Sequence, residues 1–161
     1  MVRHWQSAAT VAVLLASVAG CSDTKAGPSP ISSSAAAQCV DPTVGPLPQW
    51  ARAGFSPPDQ PATYFLGAGA RIVGVAFGWP LRTTQPPGRQ NKILWIAPTT
   101  GPGPLRITAT RLGSDVTVTR EIDGGPGPSI VDMPRDGCWR FDLTWSGGND
   151  RMYVRYGGAE S

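Results

Sequence analysis

Histidine is almost missing from this chain: 161 residues contain one, His4, and it lies in an N-terminal segment that reads as a removable leader. A mature chain starting after residue 20 has no imidazole at all. Ser-His-Asp and Cys-His catalysis, His-ligated zinc or copper, axial-His haem and imidazole pH sensing are thereby excluded for it. Charge of one sign is scarce as well, with 14 Lys+Arg against 11 Asp+Glu for a net +3, or +2 once Arg3 is removed with the leader. No basic block stands out, so the charge gives no case for nucleic acid or for a polybasic membrane patch. Long hydrophobic runs are missing too. The longest, Ala8 to Val18, is about 11 residues against the roughly 20 that a membrane-crossing helix needs. No window sustains an amphipathic helical period over ten or more residues, so almost no helix is expected.

What is present begins with export signals. A cationic start (Arg3), the apolar stretch AATVAVLLASV and the small residues Ala19 and Gly20 form a signal-peptide layout over residues 1–20. The next four-residue window, Val18-Ala19-Gly20-Cys21, resembles the bacterial lipobox, and that resemblance implies a diacylglycerol thioether on Cys21. The other reading is an ordinary secretory signal cleaved near Ala19, with Cys21 a spare thiol. Acyl chains contribute about 0.8 kcal/mol per buried methylene, so two or three would hold the protein on the outer face of the cell membrane. Residues 21–38 are small, polar and proline-punctuated, a flexible tether reaching roughly 20 to 25 Å. One folded domain is expected over 39–161, large enough for its own core.

That domain reads as short apolar or alternating runs divided by Gly, Pro, Asn and Asp turns. Candidate strands are 62–66, 71–77, 92–97, 105–111, 116–122, 129–133, 138–145 and 152–156, and this spacing predicts an antiparallel β-sandwich of seven or eight strands. The clearest run puts Trp139, Phe141, Leu143 and Trp145 on one face and Arg140, Asp142 and Thr144 on the other. Residues 146–150 are expected to turn into a terminal hairpin. Gly-Pro-Gly-Pro occurs at 101–104 and again at 125–128. Proline offers no N–H to an anion, so neither is a phosphate cradle; both read as rigid lead-ins to strands on the same side of the sandwich.

With Cys21 assigned to lipid, Cys39 and Cys138 remain, and in an exported chain they predict one disulfide. Redox thiol pairs are usually close in sequence, whereas these are 99 residues apart, which favours a structural role. Acid/base chemistry would have to come from Asp115, Glu121, Asp123, Asp132, Asp136, Asp142 or Asp150. Nearly all sit in turn contexts where Asp bonds local backbone, so no catalytic residue, metal site or cofactor is assigned. Five tryptophans survive leader removal. Trp139 and Trp145 belong to the core, Trp95 lies in a run apolar on both faces, and Trp50 and Trp79 are either ligand contacts or loop anchors. The irregular stretch 80–91 (PLRTTQPPGRQN), with Arg82 and Arg89, is where a binding loop is expected first.

The segment Gly137-Cys138-Trp139-Arg140-Phe141-Asp142-Leu143-Thr144-Trp145-Ser146-Gly147, with Asn91-Lys92-Ile93-Leu94-Trp95 upstream, resembles small uncharacterised actinobacterial lipoproteins. More distantly it is similar to secreted immunoglobulin-like modules whose late strand carries Gly-x-Trp-x-Phe. The resemblance implies the anchor and an immunoglobulin-like β-sandwich, and carries no activity. Cys39 departs from the immunoglobulin pattern by preceding the first strand. The expectation is a non-enzymatic, lipid-anchored envelope interaction or accessory module of unknown partner, an envelope protein or a glycan. The alternatives are a glycan- or wall-binding module using exposed tryptophan and, last, an Asp-based hydrolase.

Overall fold

The computed structural model describes residues 39 and 41–157, so the leader, Cys21 and the tether lie outside the described residues. Among the described residues there are nine strands: Thr43–Gly45 (β1), Ala62–Leu66 (β2), Val73–Ala76 (β3), Lys92–Ile96 (β4), Leu105–Arg111 (β5), Thr117–Ile122 (β6), Pro128–Ile130 (β7), Gly137–Trp145 (β8) and Gly148–Tyr156 (β9). They form a five-stranded sheet in the order β1-β2-β3-β4-β7 and a four-stranded sheet in the order β6-β5-β8-β9. Every pairing is antiparallel, and the chain is an all-β sandwich.

All eight expected strands are there: 62–66 and 105–111 keep their bounds, 71–77, 92–97 and 116–122 are trimmed, 129–133 shifts to Pro128–Ile130, and the last two are longer than expected. The 71–77 run shortens because Gly67 N–H already bonds Ile72 O at 3.0 Å, closing the β2–β3 turn. β1 was not expected: three residues bracketed by Pro42 and Pro46 make an edge strand that pairs on one side only. The final hairpin is tighter than expected, since Gly148 and Asn149 already pair with Trp145 and Thr144, which leaves Ser146-Gly147 as the turn. Asp150 is strand as well as cap, its carboxylate accepting Gly69 N–H and Arg71 N–H, both at 2.8 Å.

The inter-sheet core takes Phe65, Ile93 and Trp95 from one sheet and Leu105, Ile107, Trp139, Phe141, Leu143 and Val154 from the other. Each core indole finds a partner, as buried tryptophan requires. Trp95 donates to Ser129 Oγ (2.9 Å), Trp139 to Arg135 O (3.0 Å) and Trp145 to Thr99 O (2.9 Å). Gly74, opposite Trp95 in the register, gives that ring its space, for a Cβ there would stand 2.9 Å from the indole. A second cluster covers the outer face of the five-stranded sheet. Leu47 and Ala51, from the segment around a single 3-10 turn at Gln49–Ala51, pack on Tyr64, Val73 and Val75 with Trp50 and Phe55 beside them. The two Gly-Pro-Gly-Pro segments lie side by side, with Gly125 at φ +93° facing Gly103 O.

Cys39 and Cys138 are joined, with Cα atoms 5.5 Å apart. The bond ties the start of the domain to β8, and Arg155 donates to Cys39 O at 3.3 Å beside it. A structural disulfide points to an oxidising, extracytoplasmic compartment. Among the described residues no helix is long and apolar enough to cross a membrane.

Candidate binding groove on the loop between β3 and β4

The ladder between β3 and β4 runs one pair past the strands, with Phe77 N–H donating to Lys92 O at 3.0 Å. This sets the two side chains together at the mouth of the connecting loop, with Lys92 Nζ 5.0 Å from the centroid of the Phe77 ring. Phe77 is 58 % exposed. Lys92 pairs with Ile130 on the other side, itself 49 % exposed, and cross-strand partners project from the same face. Phe77, the Lys92 stem and Ile130 therefore make one strip across three strands, about 10 Å from first strand to third at the usual interstrand spacing.

From Phe77 the chain folds back through Gly78 and a cis Trp79–Pro80 bond. Trp79 is half-buried, its ring edge-on to Phe65 at 5.6 Å and 64°. Leu81 is fully buried. Its carbonyl accepts Gly157 N–H at 2.8 Å while Thr83 N–H donates to Gly157 O at 3.0 Å, which fastens the loop to the end of β9.

Asn91 fixes the other end. It is 1 % exposed, and burial of its amide is tolerable because every polar atom is used. Its Oδ1 accepts from Arg82 N–H at 3.0 Å and from the Gln85 amide; its Nδ2 donates to Arg82 O and to Asp132 Oδ1, each at 2.7 Å. The Asn91 carbonyl also accepts Val131 N–H at 3.0 Å, coupling the loop base to the exit from β7. The loop is thus rigid at its base, while Pro86 to Gln90 stand exposed. Between base and tip opens a groove of about 480 Å³, lined among others by Phe77, Trp79, Gln85, Arg89, Gln90 and Lys92. The charges in its lining, Arg89 and Lys92, are both positive.

Of the residues singled out from sequence, Trp79 and Arg89 reach this groove. Arg82 belongs to the loop base, where its backbone clamps Asn91, and Trp50 packs half-buried on the outer cluster away from the loop. Phe77, Lys92 and Asn91 were not singled out. Phe77 and Lys92 sit at the ends of expected strands, where nothing in the pattern separates a strand terminus from a groove wall. Of the carboxylates weighed from sequence, Asp132, Asp142, Asp150 and Glu121, the last paired with Arg106, are engaged structurally. Asp142 accepts from Arg140 Nε at 2.9 Å and Arg151 Nε at 2.6 Å, a hydrogen bond that raises the Arg151 pKa. Asp150 caps backbone N–H groups, and Asp132 holds Asn91.

No protein-family model, no curated protein and no solved structure matches the chain.

Proposed function

We propose that this protein is a non-enzymatic binding module, exported and held on the outer face of the cell membrane by lipid on Cys21, which engages an envelope component through the groove between β3 and β4. One observation carries the reading: a rigid loop base presents an exposed aromatic, Phe77, in line with Ile130 and against a cleft. Scattered apolar surface residues are ordinary, whereas an aligned apolar strip beside a concavity marks a contact surface. The disulfide supports the compartment, and the tether predicted over 21–38 would let the module search near the membrane.

The test is photo-cross-linking in intact cells from the position of Gln90, with mass spectrometry of what is retained after muramidase treatment. A reproducible adduct that disappears in Phe77→Ala supports the reading. An adduct pattern unchanged by Phe77→Ala overturns the groove as the contact surface. For the anchor, Cys21→Ser releases the protein from the membrane fraction; retention of that variant overturns lipidation.

A further inference from the structure

We infer that the groove takes an acidic saccharide, with a sugar ring on the exposed face of Phe77 and the sugar carboxylate between Arg89 and Lys92. The inference rests on the binding-module reading and names the ligand class.

Three features of the groove select that class. Its stacking surface is an aromatic ring held at the mouth of the cleft by a backbone hydrogen bond, Phe77 N–H to Lys92 O. A ring presented this way suits the apolar face of a pyranose, which needs a flat partner and no deep pocket. Around it stand amide and cationic side chains, Gln90, Arg89 and Lys92, and no carboxylate joins them in the lining. Such a site attracts an anionic group through charge-assisted hydrogen bonds. Finally, backbone is not on offer inside the cleft. β4 is paired on both sides, with β3 and with β7, so an extended peptide has no free strand edge to join there; the sheet's edge on this side is β7, beyond the cleft. Within the cleft, recognition comes from side chains, by stacking and by hydrogen bonds to hydroxyls and a carboxylate.

Ile130 extends the stacking surface beyond the cleft, two strands from Phe77. The ligand is therefore a chain of sugars rather than a single ring, crossing the Lys92 stem between the two contacts.

The test applies purified full-length protein to an array of uronate-, muramate- and sialate-containing oligosaccharides, each printed beside its carboxyl-esterified form, with a polyglutamate peptide and phosphatidylglycerol vesicles as separate probes. Retention of at least one acidic oligosaccharide is expected, weakened tenfold or more by esterification and by Arg89→Gln, and lost in Phe77→Ala. Ile130→Ala should weaken the longer oligosaccharides and spare the shortest. Phe77 and Arg89 are exposed, so thermal melts of these variants should match the parent. Equal binding of esterified forms overturns the acidic requirement. Retention of polyglutamate or vesicles, sensitive to Phe77→Ala, with no oligosaccharide bound, overturns the saccharide class but leaves the groove as a binding site. No oligosaccharide bound, while the cellular adduct still depends on Phe77, overturns the ligand class alone. Loss of both signals overturns the binding-module reading as well.

Discussion

In the four-stranded sheet each strand keeps one face toward water, whereas β3 of the five-stranded sheet is buried at all four of its residues. Rows across the first sheet read Thr117, Thr110, Arg140, Tyr153 and then Thr119, Thr108, Asp142, Arg151, all polar, with Ile107, Phe141 and Val154 facing the core beneath. The five-stranded sheet instead has the inter-sheet core on one side and the cluster around Leu47 and Ala51 on the other. One chain thus uses two sequence codes, strict alternation where a sheet is half wet and near-continuous apolar residues where it is covered twice. The difference also bears on function. The covering segment stops short of the Phe77, Lys92 and Ile130 row, so the doubly covered sheet leaves an apolar end bare at the groove, as it also leaves Val44 on β1 and Leu66 on β2 exposed.

Core truncations should separate the two layers most strongly. Trp139→Ala removes a fully buried ring from the centre of the inter-sheet core and should cost about 3 to 5 kcal/mol. Leu47→Ala, in a loop segment that can settle onto the gap, should cost about 2 kcal/mol. Urea denaturation of both variants measures the gap, and equal losses would mean the outer cluster matters as much to folding as the core between the sheets.

Next comes the covalent link from the chain start to β8. The bond closes a loop of 99 residues, for which chain entropy alone gives about 4.7 kcal/mol; the paired Cys39→Ser, Cys138→Ser variant should lose about 2 to 4 kcal/mol. A melting temperature unchanged by reductant would show that the strand network by itself holds the domain start in place.

How much of this was legible follows the same division. Alternation in β5 and β8 was plain because one face is wet, and Leu105–Arg111 was placed to the residue. Trp95 was ambiguous for the opposite reason: Leu94 and Ile96 pack under the outer cluster, so both faces of β4 are apolar. The disulfide followed from counting cysteines. The loop 80–91 was legible as irregular, but its rigidity was not, because it depends on Asn91 meeting Asp132, which is 41 positions away. No local pattern encodes that meeting. Trp50, following the proline-rich stretch 42–48, and Trp79, preceding Pro80, looked alike in sequence, and only tertiary packing separates the one at the outer cluster from the one in the groove.

Asn91→Leu tests the loop base directly. It keeps the volume and removes the hydrogen bonds that the Asn91 amide makes with Arg82 N–H, Arg82 O, the Gln85 amide and Asp132 Oδ1, so a loss of about 1 to 3 kcal/mol is expected. Amide hydrogen exchange should accelerate between Arg82 and Gln90 while β8 and β9 remain protected. Acceleration spread over both sheets would mean that the loop is part of the global folding unit instead of an appended rigid frame.

The smallest effect is expected where the sheets touch through one hydroxyl. Tyr156, at the end of β9, is 1 % exposed and donates to Val131 O at 2.6 Å, just past β7. Burial is the main reason its phenol pKa lies far above the ordinary 10.0; the Asp132 charge adds to the rise and Arg120 opposes it. The folded state therefore keeps a proton that the unfolded chain gives up at its ordinary pKa. The sign follows: the hydroxyl's contribution is complete below pH 10 and falls as pH rises past it, by about 1.4 kcal/mol per pH unit. Tyr156→Phe should cost about 0.5 to 1.5 kcal/mol at neutral pH and decline less steeply in alkali than the parent. Taking the difference between the two proteins cancels every other titrating group. A native tyrosinate absorbance near pH 10 that vanishes in Tyr156→Phe would show this contact opening to water, and with it the seam between the sheets.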